Sequence, residues 1–232
     1  MDYTIIITAS FIISHPLIIH IRNVIESLKY INMGKSVPII LAHDYSNNSR
    51  YLRYIDNLRE YIKDKENIQI TICDRHGHLT GNIRNAFKLV KTKYVLILQH
   101  DLPFCEDFEI NKVIEDMNNN PEIKYIRFNK RENIKKGFDA INNLFGYQLK
   151  SKNYTYTKTP AWSDNNHLCL SDYYREIVLK ECQDGEPMEF TLQGKIINEE
   201  MHKKYGTFIF GELRNKKMIE HTHGRKKCNL FK

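Results

Sequence analysis

Apolar residues fall in short continuous runs at Tyr3–Ala9, Val37–Ala42, Ile68–Cys73 and Tyr94–Leu98, each rich in Ile, Val or Tyr. The runs begin roughly 30 residues apart, which is the spacing of βαβ units. Helical periodicity fills the intervals. Tyr51, Ile55, Leu58 and Ile62 recur at i, i+4, i+7 and i+11 with charges on the opposite face and Ser49 placed to cap. Leu17, Ile21, Val24 and Leu28 repeat the pattern after Pro16, and Ile83, Phe87 and Val90 form a third stripe. Continuous apolar strands alternating with amphipathic helices predict an α/β fold, Rossmann-like, with a mostly parallel central sheet flanked by helices. After Phe104 the alternation fades. The pattern there predicts a helix near Ile110–Met117, a strand at Tyr125–Phe128, a polar stretch over Asn129–Gly137, helices at Ser171–Cys182 and Met188–Lys204, and a strand at Thr207–Phe210. No internal repeat and no Pro-, Gly- or Ser-rich linker divides the 232 residues, so residues 1–105 and 106–232 are expected to pack as two halves of a single compact domain.

Composition, at 41% hydrophobic and 27% charged, excludes a disordered or fibrous chain. Charge sharpens the picture more. The formal excess of +7 lies wholly in residues 201–232, where nine Lys or Arg face only Glu212 and Glu220, while the first 200 residues balance. A coat for nucleic acid needs a broader basic face, so no specific nucleic-acid partner is expected, and the basic segment is suited to a small anion. Five scattered cysteines without a CxxC pair point away from a disulfide framework and towards a reducing, cytoplasmic setting. The apolar start has Asp2 where a signal peptide carries basic residues, and no window reaches the roughly 18 apolar residues of a membrane span.

In an open parallel sheet ligands bind beyond the carboxyl ends of the strands, which here are Thr8–Ser10, His43-Asp44, Asp74–His76 and Gln99–Asp101. The turn after the first strand has no glycine, which argues against a dinucleotide-binding or P-loop site. A nucleotide diphosphate bound without a glycine loop needs its charge met by Lys and Arg or by Mn²⁺ or Mg²⁺ on one or two carboxylates. Asp101, ending the apolar strand, is placed to hold such an ion or to cap the Leu102-Pro103 turn.

Gly81-Asn82-Ile83-Arg84-Asn85-Ala86, followed by Lys93-Tyr94-Val95-Leu96-Ile97-Leu98-Gln99-His100-Asp101, resembles the G-x-x-R-N … y-v-l-x-l-D-x-D segment of GT-A fold glycosyltransferases of the family-2 type. The chain is also similar to small glycosyltransferases of large DNA viruses. The resemblance implies a nucleotide-binding half (1–105) and an acceptor-binding half (106–232) that the basic C-terminal segment closes. It implies that Thr8 and Ser10 line the nucleoside site, that Asp44 accepts a hydrogen bond from the base, that Arg84 lies near the base or diphosphate, and that Gln99, His100 and Asp101 occupy the D-x-D position. Gln99 stands where that pattern has its first carboxylate and is suited to a ribose hydroxyl. It implies further that a histidine of the C-terminal segment, His221 or His223, returns to the metal beside Asp101, with Arg225 next to the diphosphate; a solvated basic tail is the plainer reading. His76 and His78 are too closely spaced, without a distal pair, to argue for zinc.

Sugar transfer needs a base for the acceptor hydroxyl. Glu189, Asp164 and Glu186 are the candidate carboxylates, Glu189 first, each with a helix-capping alternative. The lone tryptophan, Trp162, sits among Ser163, Asp164 and Asn165, a set suited either to a sugar's apolar face and hydroxyls or to the core. The activity expected is a metal-dependent, inverting transfer from a UDP- or GDP-linked sugar to a hydroxyl of a glycan or glycoprotein. The alternatives are a nucleotidyltransferase and a non-catalytic carbohydrate- or nucleic-acid-binding module.

Overall fold

In the computed structural model, which describes residues 2–133 and 147–222, the four apolar runs are strands: β1 (Tyr3–Ala9), β2 (Ile39–His43), β3 (Ile68–Ile72) and β4 (Tyr94–Gln99). All four run parallel, with β2 and β4 flanking β1 and β3 outside β2. Three helices connect them: α1 (Ile19–Ser27), α2 (Ser49–Ile62) and α3 (His78–Phe87). The second half supplies α4 (Ile110–Asn119), β5 (Tyr125–Arg127), β6 (Gln148–Lys150), β7 (Thr155–Lys158) and β8 (His167–Leu170). It continues with α5 (Ser171–Tyr173) and α6 (Leu179–Glu181), joined by a π-turn over Tyr174–Val178, then α7 (Met188–Leu192), α8 (Glu199–Tyr205) and β9 (Thr207–Phe210).

The strands form one sheet in the order β3-β2-β1-β4-β8-β5-β9-β7-β6. The expected mostly parallel sheet holds for the first half only, since β8 lies antiparallel to both β4 and β5, and β7 is antiparallel to β9 and β6. Strands β6, β7 and β8 are only three or four residues long, and β6 and β7 are rich in polar side chains, so none carries enough apolar period to be read from the sequence. One face of the sheet (Ile5, Ile7, Leu41, Leu96) packs against α1, α2 and α4. The other face (Ile6, Ile40, Val95, Ile97) packs against α3 and the helical segments from Ser171 to Leu192. The first strand is buried at all seven positions, as its unbroken apolar run requires.

Local signals explain the departures. Asn48, not Ser49, caps α2, its side chain accepting from the Arg50 N–H at 2.9 Å. The first helix starts at Ile19, leaving Leu17 49% exposed and outside the buried stripe. The single helix expected over Met188–Lys204 is two, because Gly194 takes φ +83 between them and Asn198 opens α8 by accepting from the Met201 N–H. Among the described residues no helix is long and apolar enough to cross a membrane, and Cys73, Cys105, Cys169 and Cys182 are free thiols.

The hairpin of β6 and β7 is anchored by one buried carboxylate. Asp116, fully buried in α4, accepts from the backbone N–H of Asn153 (3.0 Å) and Tyr154 (2.9 Å) and from the Tyr156 hydroxyl (2.8 Å). Its removal strands several buried donors at about 1–3 kcal/mol each. Asp116→Ala is therefore expected to cost about 3 kcal/mol in urea unfolding, and a loss under about 1 kcal/mol would show that the hairpin does not depend on it.

Candidate active site

A cleft of about 1230 Å³ opens at the carboxyl ends of β1, β2 and β4 and extends across the ends of β5 and β8. Its first wall comes from residues following the parallel strands. Thr8 lines it, but its hydroxyl is spent on the Leu98 carbonyl (3.1 Å), locking β1 to β4, while Ser10 is half-buried at the surface of the cleft. Asp44 also lines the cleft, with both carboxylate oxygens engaged. Oδ1 accepts from the N–H of Tyr45 (2.9 Å) and Gly77 (2.8 Å), and Oδ2 accepts from the His78 N–H (3.1 Å) and pairs with His76 Nδ1 at 2.8 Å. In this arrangement Asp44 shapes the loop leading into α3, and an incoming base would have to displace one of those donors.

The Gly81–Ala86 segment is scaffold more than ligand surface. Asn82, buried and at the cleft, donates to the carbonyls of Ala9 (3.2 Å) and Ala42 (2.8 Å), clamping the ends of β1 and β2. Arg84 does not reach the cleft, contrary to expectation. Its guanidinium donates to the Leu179 and Cys182 carbonyls and pairs with Asp184 at 2.9 Å, satisfying the open C-terminal carbonyls of α6.

Beyond β4, Gln99, His100 and Asp101 all line the cleft. Gln99 Nε2 donates to the Asp164 carbonyl at 2.6 Å, and the His100 N–H donates to the Thr8 carbonyl at 3.0 Å. The segment 218–222 runs as a strap against 101–105. Cys105 N–H bonds the Met218 carbonyl, Glu220 N–H bonds Pro103, and Thr222 bonds the Asp101 carbonyl through both its N–H and its hydroxyl. The strap delivers His221 to 3.2 Å between its Nε2 and Asp101 Oδ2. His223 and Arg225 lie outside the described residues.

One carboxylate and one imidazole on a cleft wall fit a hard divalent ion that takes its remaining oxygens from a diphosphate and water. Among the described residues no three His, Cys, Asp or Glu side chains gather to hold an ion by themselves, which leaves His76 and His78 without a zinc set.

The opposite wall carries a carboxylate pair. Glu189 Oε1 accepts from the Ser163 hydroxyl (2.6 Å) and the Asp164 N–H (2.7 Å), and Asp164 Oδ2 faces the Glu189 N–H at 3.4 Å. Burial pushes the Asp164 carboxyl up to about 7, the Glu189 charge adds to the shift, and the Glu189 N–H opposes it only in part. Asn165 is half-buried beside them in the same wall. Glu186 is exposed and outside the lining; its backbone carbonyl accepts from Thr80. Trp162 is no open platform. It is 2% exposed, with its ring 4.4 Å from that of Tyr125, and forms the floor of the cleft as part of the core.

Two residues that the sequence did not single out shape this half. Asn166, fully buried, accepts the Gln99 N–H (3.0 Å), donates to the Leu102 carbonyl (2.7 Å), and through its own carbonyl accepts the Phe128 N–H (2.8 Å). Arg127, at the end of β5, is a cation in the lining. Neither lies in a recognisable motif; the only signal is position at a strand end, and strands of three and four residues are too short to place from the sequence.

Asp164 makes stability depend on pH. Folded, it keeps its proton to about pH 7; unfolded, only to about the ordinary 3.8. Between those values the folded state binds the extra proton, so stability falls as pH rises through that window. Asp164→Asn should raise Tm at about pH 8 and leave it nearly unchanged at about pH 4, in scans at both; an equal shift at the two would mean that Asp164 is not held neutral.

No family model matches the sequence, and no curated protein matches it at sequence level. Solved structures match the fold. Residues 1–349 of S. aureus TarS align at 13% identity and TM-score 0.54 over 96% of this chain and 60% of that one. The same fragment in complex with UDP-GlcNAc aligns at 11% identity and TM-score 0.55, over 95% and 58%. The mannosyltransferase PcManGT from Pyrobaculum calidifontis, in complex with GDP-Man and Mn²⁺, aligns at 9% identity and TM-score 0.56, over 84% and 50%. The chain thus spans about 60% of the length of the TarS fragment. At these identities the likeness is one of architecture: a mixed α/β single domain with a large central sheet, the GT-A fold of glycosyltransferases.

Proposed function

We propose that the chain transfers a sugar from a UDP- or GDP-linked donor to a hydroxyl of a glycan or glycoprotein acceptor, with inversion. One observation carries this reading: a single cleft in a GT-A fold has the Asp101–His221 pair on one wall and the Asp164–Glu189 pair on the other. Residues 1–105 supply the donor side and residues 106–232 the acceptor side. Asp101 and His221 would hold Mn²⁺ or Mg²⁺, which supplies charge neutralisation to the departing nucleoside diphosphate. The expectation that Arg225 meets the same diphosphate is part of the proposal. Ser10 and Gln99 orient the donor.

Asp164 replaces Glu189 as the favoured base. The engaged oxygen of Glu189 already serves two donors, whereas Asp164 has a carboxyl tuned to about 7, near the pH at which a proton acceptor works best. The acceptor oxygen attacks the anomeric carbon, its proton passes to Asp164, and the bond from that carbon to the diphosphate oxygen breaks. Glu189 holds Asp164 in place through the backbone.

A thermal-shift panel of UDP- and GDP-sugars tests the reading, since a ligand at about 100 times its Kd adds about 2.7 kcal/mol of apparent stability. At least one nucleotide sugar should raise Tm, more so with Mn²⁺, and Asp101→Ala should lose the Mn²⁺ increment. Silence across the panel, or an increment that survives Asp101→Ala, overturns the proposal.

A further inference from the structure

Arg127 lines the cleft, and among the described residues no side chain pairs with its guanidinium, although the Glu189 charge acts on it from within the same cleft. It is half-buried, its Nε is sealed from solvent, and among the described residues it makes no hydrogen bond and no ion pair. Burial pulls its pKa below the ordinary arginine value, with partial compensation from the nearby Tyr125 and Glu189. A guanidinium with five donors is costly to desolvate without a partner anion, and a fold that retains one in an open cleft has a site for an anion.

The surroundings extend the same charge. Lys130 and Arg131 follow on the loop after β5, exposed and lining the same cleft, with the Glu132 carboxylate next to them, which leaves the loop net positive. That loop is built, not loose. Buried Asn133 accepts from Asn129 Nδ2 (2.7 Å) and donates to the carbonyls of Phe210 (2.8 Å) and Glu212 (3.1 Å). The Asn129 carbonyl in turn receives Met218 N–H of the strap at 2.8 Å.

Position assigns the anion to the acceptor. Ile97 of β4 and Arg127 of β5 both pair in register with His167 of β8, so two strand spacings, roughly 10 Å, separate them. The Asp101–His221 pair stands at the β4 end, and Arg127 stands beside the carboxylate pair that would deprotonate the acceptor.

Resting on the glycosyltransferase reading, we infer that Arg127, flanked by Lys130 and Arg131, receives a phosphate or carboxylate on the acceptor glycan, so that this chain selects an anionic acceptor over a neutral one. A guanidinium recognises either group through paired N–H bonds.

Glucose 6-phosphate, glucuronate and neutral glucose serve as probes, titrated calorimetrically into wild-type protein and Arg127→Gln, alone and with saturating UDP or GDP plus Mn²⁺. At least one anionic sugar should bind wild type at least about tenfold more tightly than glucose, a difference lost in Arg127→Gln and partly kept in Arg127→Lys. UDP or GDP affinity should not change in either variant, which also reports an intact fold. The inference is overturned if neither anionic sugar outbinds glucose or if Arg127→Gln leaves their binding intact. It is equally overturned if Arg127→Gln weakens the nucleotide about tenfold, which places Arg127 on the leaving group. Binding of an anionic sugar that depends on Arg127, without any binding of UDP or GDP, would uphold the anion site and refute the glycosyltransferase reading.

Discussion

The side chain of Asn166 joins the two halves of this protein. A primary amide can accept and donate at once, and Asn166 uses both functions on the turn that ends β4, at Gln99 and Leu102, while its backbone carbonyl holds Phe128 beyond β5. The bonds are buried, so each missing partner would cost about 1–3 kcal/mol. Because β8 follows directly from Asn166, the antiparallel strand between β4 and β5 is set in register by the same contact that shapes the cleft. Gln99 adds to it through the Asp164 carbonyl, so the position of the second carboxylate wall depends on the end of β4.

The same economy runs through the site. Polar segments that look like loops are held by backbone bonds and carry charged side chains into a partly desolvated space. The strap at 218–222 brings an imidazole to Asp101, the loop at 162–166 brings a carboxyl whose proton is held to about pH 7, and the loop after β5 brings cations. Burial pushes Asp164 and the neighbouring Arg127 away from the charged forms they take in water. Strained electrostatics of that kind is tolerated where a ligand or a reaction relieves it.

The first half was legible because burial on both faces of a parallel sheet writes itself as unbroken apolar strands and 3.6-residue helices. Tyr3–Ala9 and Tyr94–Gln99 are nearly where the pattern puts them. That His221 or His223 would join Asp101 at a metal was implied by the family resemblance; the structure brings His221 to Asp101, and the ion remains part of the proposal. What escaped was fixed by long-range partners: β8 by pairing with β4 and β5, Asn133 by carbonyls nearly 80 positions away, and Arg127 by lying at the end of a three-residue strand. The expectation for Arg84 changed, and the two readings open for Trp162 resolved to the core, for a reason intrinsic to motifs. Arg84 and Trp162 have chemistry suited to ligands, but a guanidinium also satisfies helix-end carbonyls and an indole also fills a core, and the sequence does not distinguish the uses.

The claim that both walls serve one reaction meets its most direct test in the rate at which nucleoside diphosphate is released from a UDP- or GDP-sugar in the presence of Mn²⁺ and glycan acceptors. The geometry predicts release that climbs with pH and levels off above about 7, and Asp164→Asn that still binds the donor but releases at least about 100-fold more slowly. Release by Asp164→Asn at the wild-type rate would contradict it.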